Sequence, residues 1–277
     1  MPIATRLAAS ALAALALLGS PSASLAQEEA ESRFSGVAQL DLTNAYYFRG
    51  ILNEKRGLIA QPWGEVYANL YSSETGLIRD VTVGFGVWLS IHSEETLAAN
   101  SPHSLYEADY YPLISMDLAG GFNLLTTYYF YDSPNGAWDE AVQELNFKLS
   151  YDDSESLGLS PWVNLAIETF SSSSPSTSGS AMQFGIAPTL FENDTFSLTG
   201  SAEVGITFDD YYDGLSSDTN ENTFGYANLG VAVGVPITDT WSTSLGFKYF
   251  LFGDDLQEVN GGHGGHGVVT ASLSASF

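Results

Sequence analysis

The stretch Gly267-Val268-Val269-Thr270-Ala271-Ser272-Leu273-Ser274-Ala275-Ser276-Phe277 decides the fold. From Val268 onward it alternates with period two. Val269, Ala271, Leu273, Ala275 and Phe277 share one face, while Thr270, Ser272, Ser274 and Ser276 share the other. Strict alternation describes a strand with two different surroundings. In a soluble sheet, an apolar strand face ending in an exposed aromatic invites edge-to-edge association. In a closed membrane barrel the last strand pairs with the first, and its aromatic sits at the lipid interface.

Working outward, the same alternation recurs between clusters of Gly, Pro, Asn, Asp and Ser. It predicts about twelve strands over 34–48, 58–71, 78–92, 105–118, 122–131, 139–150, 157–170, 180–192, 195–208, 223–235, 241–252 and 267–277. Each reaches the ~9–11 residues that a tilted transmembrane strand needs, and an even count suits a bacterial single-chain barrel. The connections alternate between short turns and longer polar loops, the rim asymmetry of such barrels. A β-sandwich has no reason to sort its loops this way. The expected fold is all-β, a transmembrane antiparallel up-and-down barrel over 34–277 with the amino terminus on the periplasmic, short-turn side.

Strand parity sorts the faces. Val81, Val83, Phe85, Val87, Leu89 and Ile91 oppose Thr82, Gly84, Gly86, Trp88, Ser90 and His92. The polar face is mostly Gly, Ser, Thr and Asn, as a crowded, wet interior requires. The charged side chains on inward parity are Asp41, Arg49, Glu65, Glu107, Asp109, Asp117, Glu144, Lys148, Glu168, Glu203 and Lys248. Acids outnumber bases among them, which predicts an acidic lumen that concentrates cations even after some pairs brace the wall. Inward Trp63, Tyr67, Trp88, Tyr129, Tyr131 and Trp162 narrow or close that lumen. Outward aromatics near strand ends predict girdles, with Tyr46, Phe48, Tyr128, Phe130 and Phe208 on one rim and Phe122, Phe196, Trp241 and Phe277 on the other.

Residues 1–26 read as a secretory signal: Arg6, an apolar run from Leu7 to Leu18, then Ser24-Leu25-Ala26 as a cleavage site. Residues 27–33 form an acidic leader. The net charge of −25 with no cysteine excludes a disulfide scaffold and a basic nucleic-acid footprint. No apolar run after the leader is long enough for a spanning helix.

The carboxy-terminal strand resembles the signature that the assembly machinery of bacterial outer-membrane barrels reads, which implies that machinery as a partner through Phe277. The stretch Leu42-Thr43-Asn44-Ala45-Tyr46-Tyr47-Phe48-Arg49-Gly50-Ile51 resembles the start of the TorF-like porin family, and the likeness extends through Ile59-Ala60-Gln61 to about Tyr71. What the resemblance implies is a pore in the outer membrane. By its position Arg49 lies inward at the end of the first strand, either bracing its loop against acids or touching solute.

Two further features read blandly. Gly261-Gly262-His263-Gly264-Gly265-His266-Gly267 holds two imidazoles among glycines; ordering those glycines is costly, so it reads as a mobile surface loop and not a metal site. The acidic run 209–221 lacks the calcium-loop pattern and reads as a solvated loop beside lipopolysaccharide. The chain has four histidines, none in a recognisable catalytic motif; His92, with Asp109 expected near it, is the one arrangement to inspect. No cofactor is implied. The expected function is passive diffusion of small hydrophilic solutes or cations through outer-membrane lipid. The alternative is a closed structural or surface-interaction barrel.

Overall fold

A computed structural model describes residues 33–138, 141–171, 179–208, 211–212 and 223–277. The signal-sequence reading lies outside them, as do the leader up to Ser32 and most of the acidic run 209–221. In chain order the strands are β1 (Phe34–Thr43), β2 (Tyr46–Phe48), β3 (Ile51–Glu54), β4 (Ile59–Ser72), β5 (Ile78–His92), β6 (Leu105–Leu118), β7 (Phe122–Asp132) and β8 (Val142–Tyr151). They continue with β9 (Trp162–Ser171), β10 (Ser180–Ile186), β11 (Thr189–Glu192), β12 (Ser197–Phe208), β13 (Phe224–Pro236), β14 (Trp241–Phe252) and β15 (Gly265–Ser276). Among the described residues one helix, α1 (Asp254–Val259), precedes β15. Among the described residues no helix is long and apolar enough to cross a membrane.

Every stave pairs antiparallel with its neighbour, and β1 pairs with β15 from Val37↔Ser276 to Thr43↔Thr270. The sheet therefore closes into a barrel of twelve staves, with β10 and β11 forming one stave interrupted at Ala187-Pro188. Proline has no N–H for the ladder. There β12 is joined instead by Gly200 N–H donating to the Pro188 carbonyl at 2.9 Å. At the seam Phe277 makes the last rung: its N–H donates to the Gly36 carbonyl at 3.0 Å and its carbonyl accepts from Gly36 N–H at 2.8 Å. A Cβ on Gly36 would stand 2.5 Å from the Phe277 ring, so the glycine lets the aromatic lie flat across the closure. Deleting Phe277 removes both hydrogen bonds and that contact, worth about 1–3 kcal/mol for a group left unpaired. The folded, heat-modifiable fraction on an SDS gel is expected to fall several-fold; an unchanged fraction would contradict the seam's importance.

Alternation delivers the two faces. The outer wall exposes Val66, Phe85, Ile114, Phe147, Leu229, Val231, Leu245 and Leu273. The inner wall buries Thr82, Ser115, Asn123, Thr127, Asn146, Thr199, Asn228 and Ser244.

Three expectations need correction. The first predicted strand, 34–48, is two elements. Its β1 part leaves the sheet at Asn44, whose side-chain Oδ1 accepts the Val269 N–H at 2.7 Å in place of a backbone rung. The chain then folds back into the barrel as the hairpin β2–β3. Tyr46 and Phe48 are therefore not in an outer girdle: Tyr46 is buried inside against Trp88, and Phe48 meets Tyr131 edge-on at 5.6 Å. Phe130, Phe208, Phe122, Trp241 and Phe277 do stand exposed on the outer surface. Second, the seventh expected strand, β9, starts at Trp162 instead of residue 157, because the Asp153 carboxylate gathers the N–H groups of Leu159 and Ser160 into a turn. Third, the longer polar connection before the last strand is not all loop. It carries α1, whose Leu256 is fully buried and whose neighbour Asn260 is held by the hairpin.

Candidate functional site

The hairpin makes the site. Its tip, Arg49-Gly50, has positive φ at both residues (46° and 82°), the two-residue turn whose twist suits a hairpin. Glycine enters that region freely, while arginine does so at a cost. Bonds at the tip hold Arg49 there. Its guanidinium pairs in bidentate fashion with the Glu144 carboxylate across the lumen and donates to Tyr211 Oη. The Tyr212 hydroxyl donates to the Arg49 carbonyl at 2.8 Å. Asn260 clamps the adjacent backbone, donating to the Gly50 carbonyl at 2.8 Å and accepting from Leu52 N–H at 2.9 Å. A Cβ at Gly50 would stand 2.5 Å from Leu256, so α1 closes tightly over the tip.

The hairpin's sides wedge into the wall. Tyr47 stacks on Phe250 and Phe252 at ring separations of 5.2 and 5.4 Å. Tyr46 meets Trp88, His92 and Tyr106, and its hydroxyl donates to Glu107 at 2.9 Å. At its far end, Glu54 is buried; burial pushes its carboxyl up, but bonds from Thr96, Arg56 and the Lys55 and Arg56 N–H groups outweigh that and hold it at about 2. His92 does not pair with Asp109. Its Nε2 lies 2.9 Å from Ser90 Oγ and its Nδ1 2.9 Å from Thr96 Oγ1, and Thr96 in turn donates to Glu54. The order resembles a nucleophile, base and orienter, yet Ser90 has no exposed surface. The chain of bonds ties the hairpin to the wall.

Below the tip lies a cavity of about 400 Å³. Its lining carries Arg49, Lys148 and Lys248 on one side of the ledger and Glu65, Asp109 and Glu203 on the other. Glu65 accepts from Tyr111 at 2.8 Å and from Tyr67. Glu203 accepts from Gln183 at 3.3 Å and from Tyr226. Lys148 Nζ lies 4.7 Å from the centre of the Trp162 ring and Lys248 Nζ 5.8 Å from that of Phe250. Outside the cavity, Asp41 accepts from Gln39 at 2.7 Å, Asp117 from Asn123 at 2.8 Å, and Glu168 from Gly179 N–H at 3.3 Å.

One arc of the lining is mostly rings, while the other mixes amides with Trp162, Tyr226 and Phe250. Trp63, Trp88, Tyr111 and Tyr129 come from β4 to β7. From β8 to β12, Glu144, Asn146, Asn164, Gln183 and Glu203 form a ladder: Asn146 donates to Glu144 at 2.6 Å, Asn164 to Asn146 at 3.0 Å and to Gln183 at 3.2 Å. Sequence reading missed this ladder, the inserted hairpin and buried Asp80. Asp80 shares the inward parity of Thr82 and was available from that pattern; it accepts from Asn69, Ser72 and Thr82. A wider apolar groove, about 600 Å³, runs along the outer wall by Phe184, Leu229 and Leu251 and belongs to the surface facing away from the lumen.

No family model matches the chain, and no curated protein matches it. Solved structures match at a distance. The KdgM porin in complex with disordered oligogalacturonate is 7% identical, over 88% of this chain and 99% of its own, with a TM-score of 0.48. The COG4313 outer membrane channel from Pseudomonas putida F1 is 11% identical over 92% and 100%, with a TM-score of 0.46. The NanC porin is 10% identical over 86% and 98%, with a TM-score of 0.42.

Proposed function

We propose that the chain is an integral outer-membrane barrel conducting small hydrophilic solutes or ions by passive diffusion, with a modest cation preference. The observation that carries this reading is the inversion of the wall: apolar side chains outside, amides, hydroxyls and charges inside, around a polar cavity. Only a closed barrel satisfies its backbone in lipid with such a wall. The amino terminus then lies in the periplasm beside the short turns, with Phe277 offered to the assembly machinery and the longer loops beside lipopolysaccharide.

The cavity itself carries three charges of each sign, so selectivity comes from the acids around it. Asp41, Asp80, Glu107 and Glu168 have no basic partner among the salt bridges of the described residues, while Arg49 offsets Glu144. Such a field raises the local concentration of cations. Under a potassium chloride gradient across a planar bilayer, the reversal potential is expected to report cation preference. Asp41→Asn with Glu168→Gln is expected to bring it towards zero. Anion preference in the unmodified protein would contradict the assignment.

The packed hairpin favours a second reading, a closed barrel with a structural or surface role. Absence of conductance from folded, inserted protein would decide for it.

A further inference from the structure

We infer that the lumen cavity takes a small primary ammonium ion carrying an apolar body, its charged end on the Asp109 carboxylate and its body against the rings that enclose that carboxylate. The inference deepens the channel reading, on which it rests for access of solute to the lumen.

Asp109 is the group in need of a partner. It lines the cavity, is 6% exposed, and makes no hydrogen bond or ion pair among the described residues; its Oδ1 is fully enclosed without a donor. A buried carboxylate left in that state is costly. No base of the cavity lining is placed to relieve it. Arg49 is committed to Glu144 through both terminal guanidinium nitrogens. Lys148 is in register with Leu125, and Leu125 with Ser115, which stands six residues along β6 from Asp109, about 20 Å at the rise of a strand. Lys248 is on β14, five staves away round the barrel. The counter-ion has to come from solution.

The surroundings select its kind. The register partners of Asp109 are Trp88 on β5 and Tyr131 on β7, so a ring flanks the carboxylate on each side, with Cβ atoms about 5 Å away. The hairpin lays a further ring on each of these: Tyr46 is 5.4 Å from Trp88, and Phe48 is 5.6 Å from Tyr131. Two residues further along the same strands, Tyr111 and Tyr129 meet at 4.7 Å. All six rings belong to the cavity lining. Their faces attract a cation and lie well against an apolar body. A metal ion suits the place poorly, because calcium takes about six to eight oxygen ligands. Among the described residues no three of His, Cys, Asp and Glu gather to hold one, and the neighbouring Glu107 already accepts from Tyr46 at 2.9 Å. An ammonium brings its own N–H donors to the carboxylate in a charge-assisted bond. A neutral molecule of the same shape leaves Asp109 as it was, and an anion adds like charge.

The test is calorimetric titration of the full chain, folded in detergent at neutral pH, with n-butylamine, 1-butanol, butanoate and calcium chloride. Butylammonium is expected to bind at least tenfold tighter than each of the other three. Asp109→Asn is expected to weaken it at least tenfold while leaving 1-butanol unmoved, and Tyr129→Leu to weaken it about threefold. Heat-modifiable migration shows whether each variant is folded; should Asp109→Asn fail to fold, the order of the four probes on the unmodified protein decides alone. Butylamine bound no tighter than 1-butanol or butanoate, calcium bound tighter than butylamine, or heats no different from buffer would overturn the proposal. So would a folded Asp109→Asn variant that binds butylamine as before. The readout needs no current, so a barrel that conducts salt but ignores butylamine loses only this inference. A barrel that binds butylamine without conducting loses only the channel.

Discussion

Replacing Arg49 by alanine is expected to raise single-channel conductance several-fold. Among the described residues the guanidinium is the one cation bonded to Glu144, a carboxylate that is 2% exposed. Removing one member of a buried pair leaves the other uncompensated, at a cost of about 3–5 kcal/mol. The tip also loses its bond to Tyr211. What remains, the Asn260 bond to Gly50, the Tyr212 bond to the residue-49 carbonyl and the rings of Tyr46 and Tyr47, holds the hairpin backbone in place. The gain comes from the space the guanidinium vacates at the cavity, where water and neighbouring amides then solvate Glu144. Arg49→Ala with Glu144→Ala is expected to keep the wider conductance while recovering part of the lost stability, since no charge is stranded. Conductance equal to that of the unmodified protein in both variants would show that the hairpin is not the constriction.

Leu229→Arg is expected to destabilise the barrel in lipid by about 2–4 kcal/mol, the cost of a basic side chain near the bilayer midplane. Leu229 sits in the middle of β13 and is 66% exposed on the outer wall, between Ala227 and Val231. Were that wall in water, arginine there would change little, because surface substitutions away from special contacts usually do. Asp239→Lys, in the exposed turn between β13 and β14, serves as the control and is expected to be neutral. Urea unfolding from phospholipid vesicles, followed by tryptophan fluorescence, reads both. A Leu229→Arg variant as stable as the control would place this face in solvent and remove the membrane reading.

The two predictions differ in how far the sequence reveals their basis. Leu229 was readable: period-two alternation is a local property, and a slip of one residue would turn every side chain over. The same holds for Glu65, Asp109, Lys148, Glu203 and Lys248, which their parity sends inward and which the structure brings to one cavity. The hairpin was not readable. Residues 44–54 alternate as a strand does because they are strands, but of a separate two-stranded sheet. What diverts them is Asn44 imitating a backbone rung and an Arg-Gly tip stabilised from β8. Both are long-range contacts, and Arg-Gly lacks the Asn-Gly or Asp-Gly signal of such turns. Arg49 was expected inside and is inside, though a fold-back carries it there and not the parity of a continuous strand. The helix before the glycine-histidine run was not readable for a related reason: Leu256 and Asn260 are fastened by the hairpin, which is far away in the chain.

The most direct measurement is single-channel recording of the purified full chain in a planar bilayer, with insertion verified by its heat-modifiable form. The account predicts small, uniform current steps proportional to voltage, of lower amplitude than those of the Arg49→Ala variant. Folded and inserted protein that passes no current, with that variant equally silent, would contradict it.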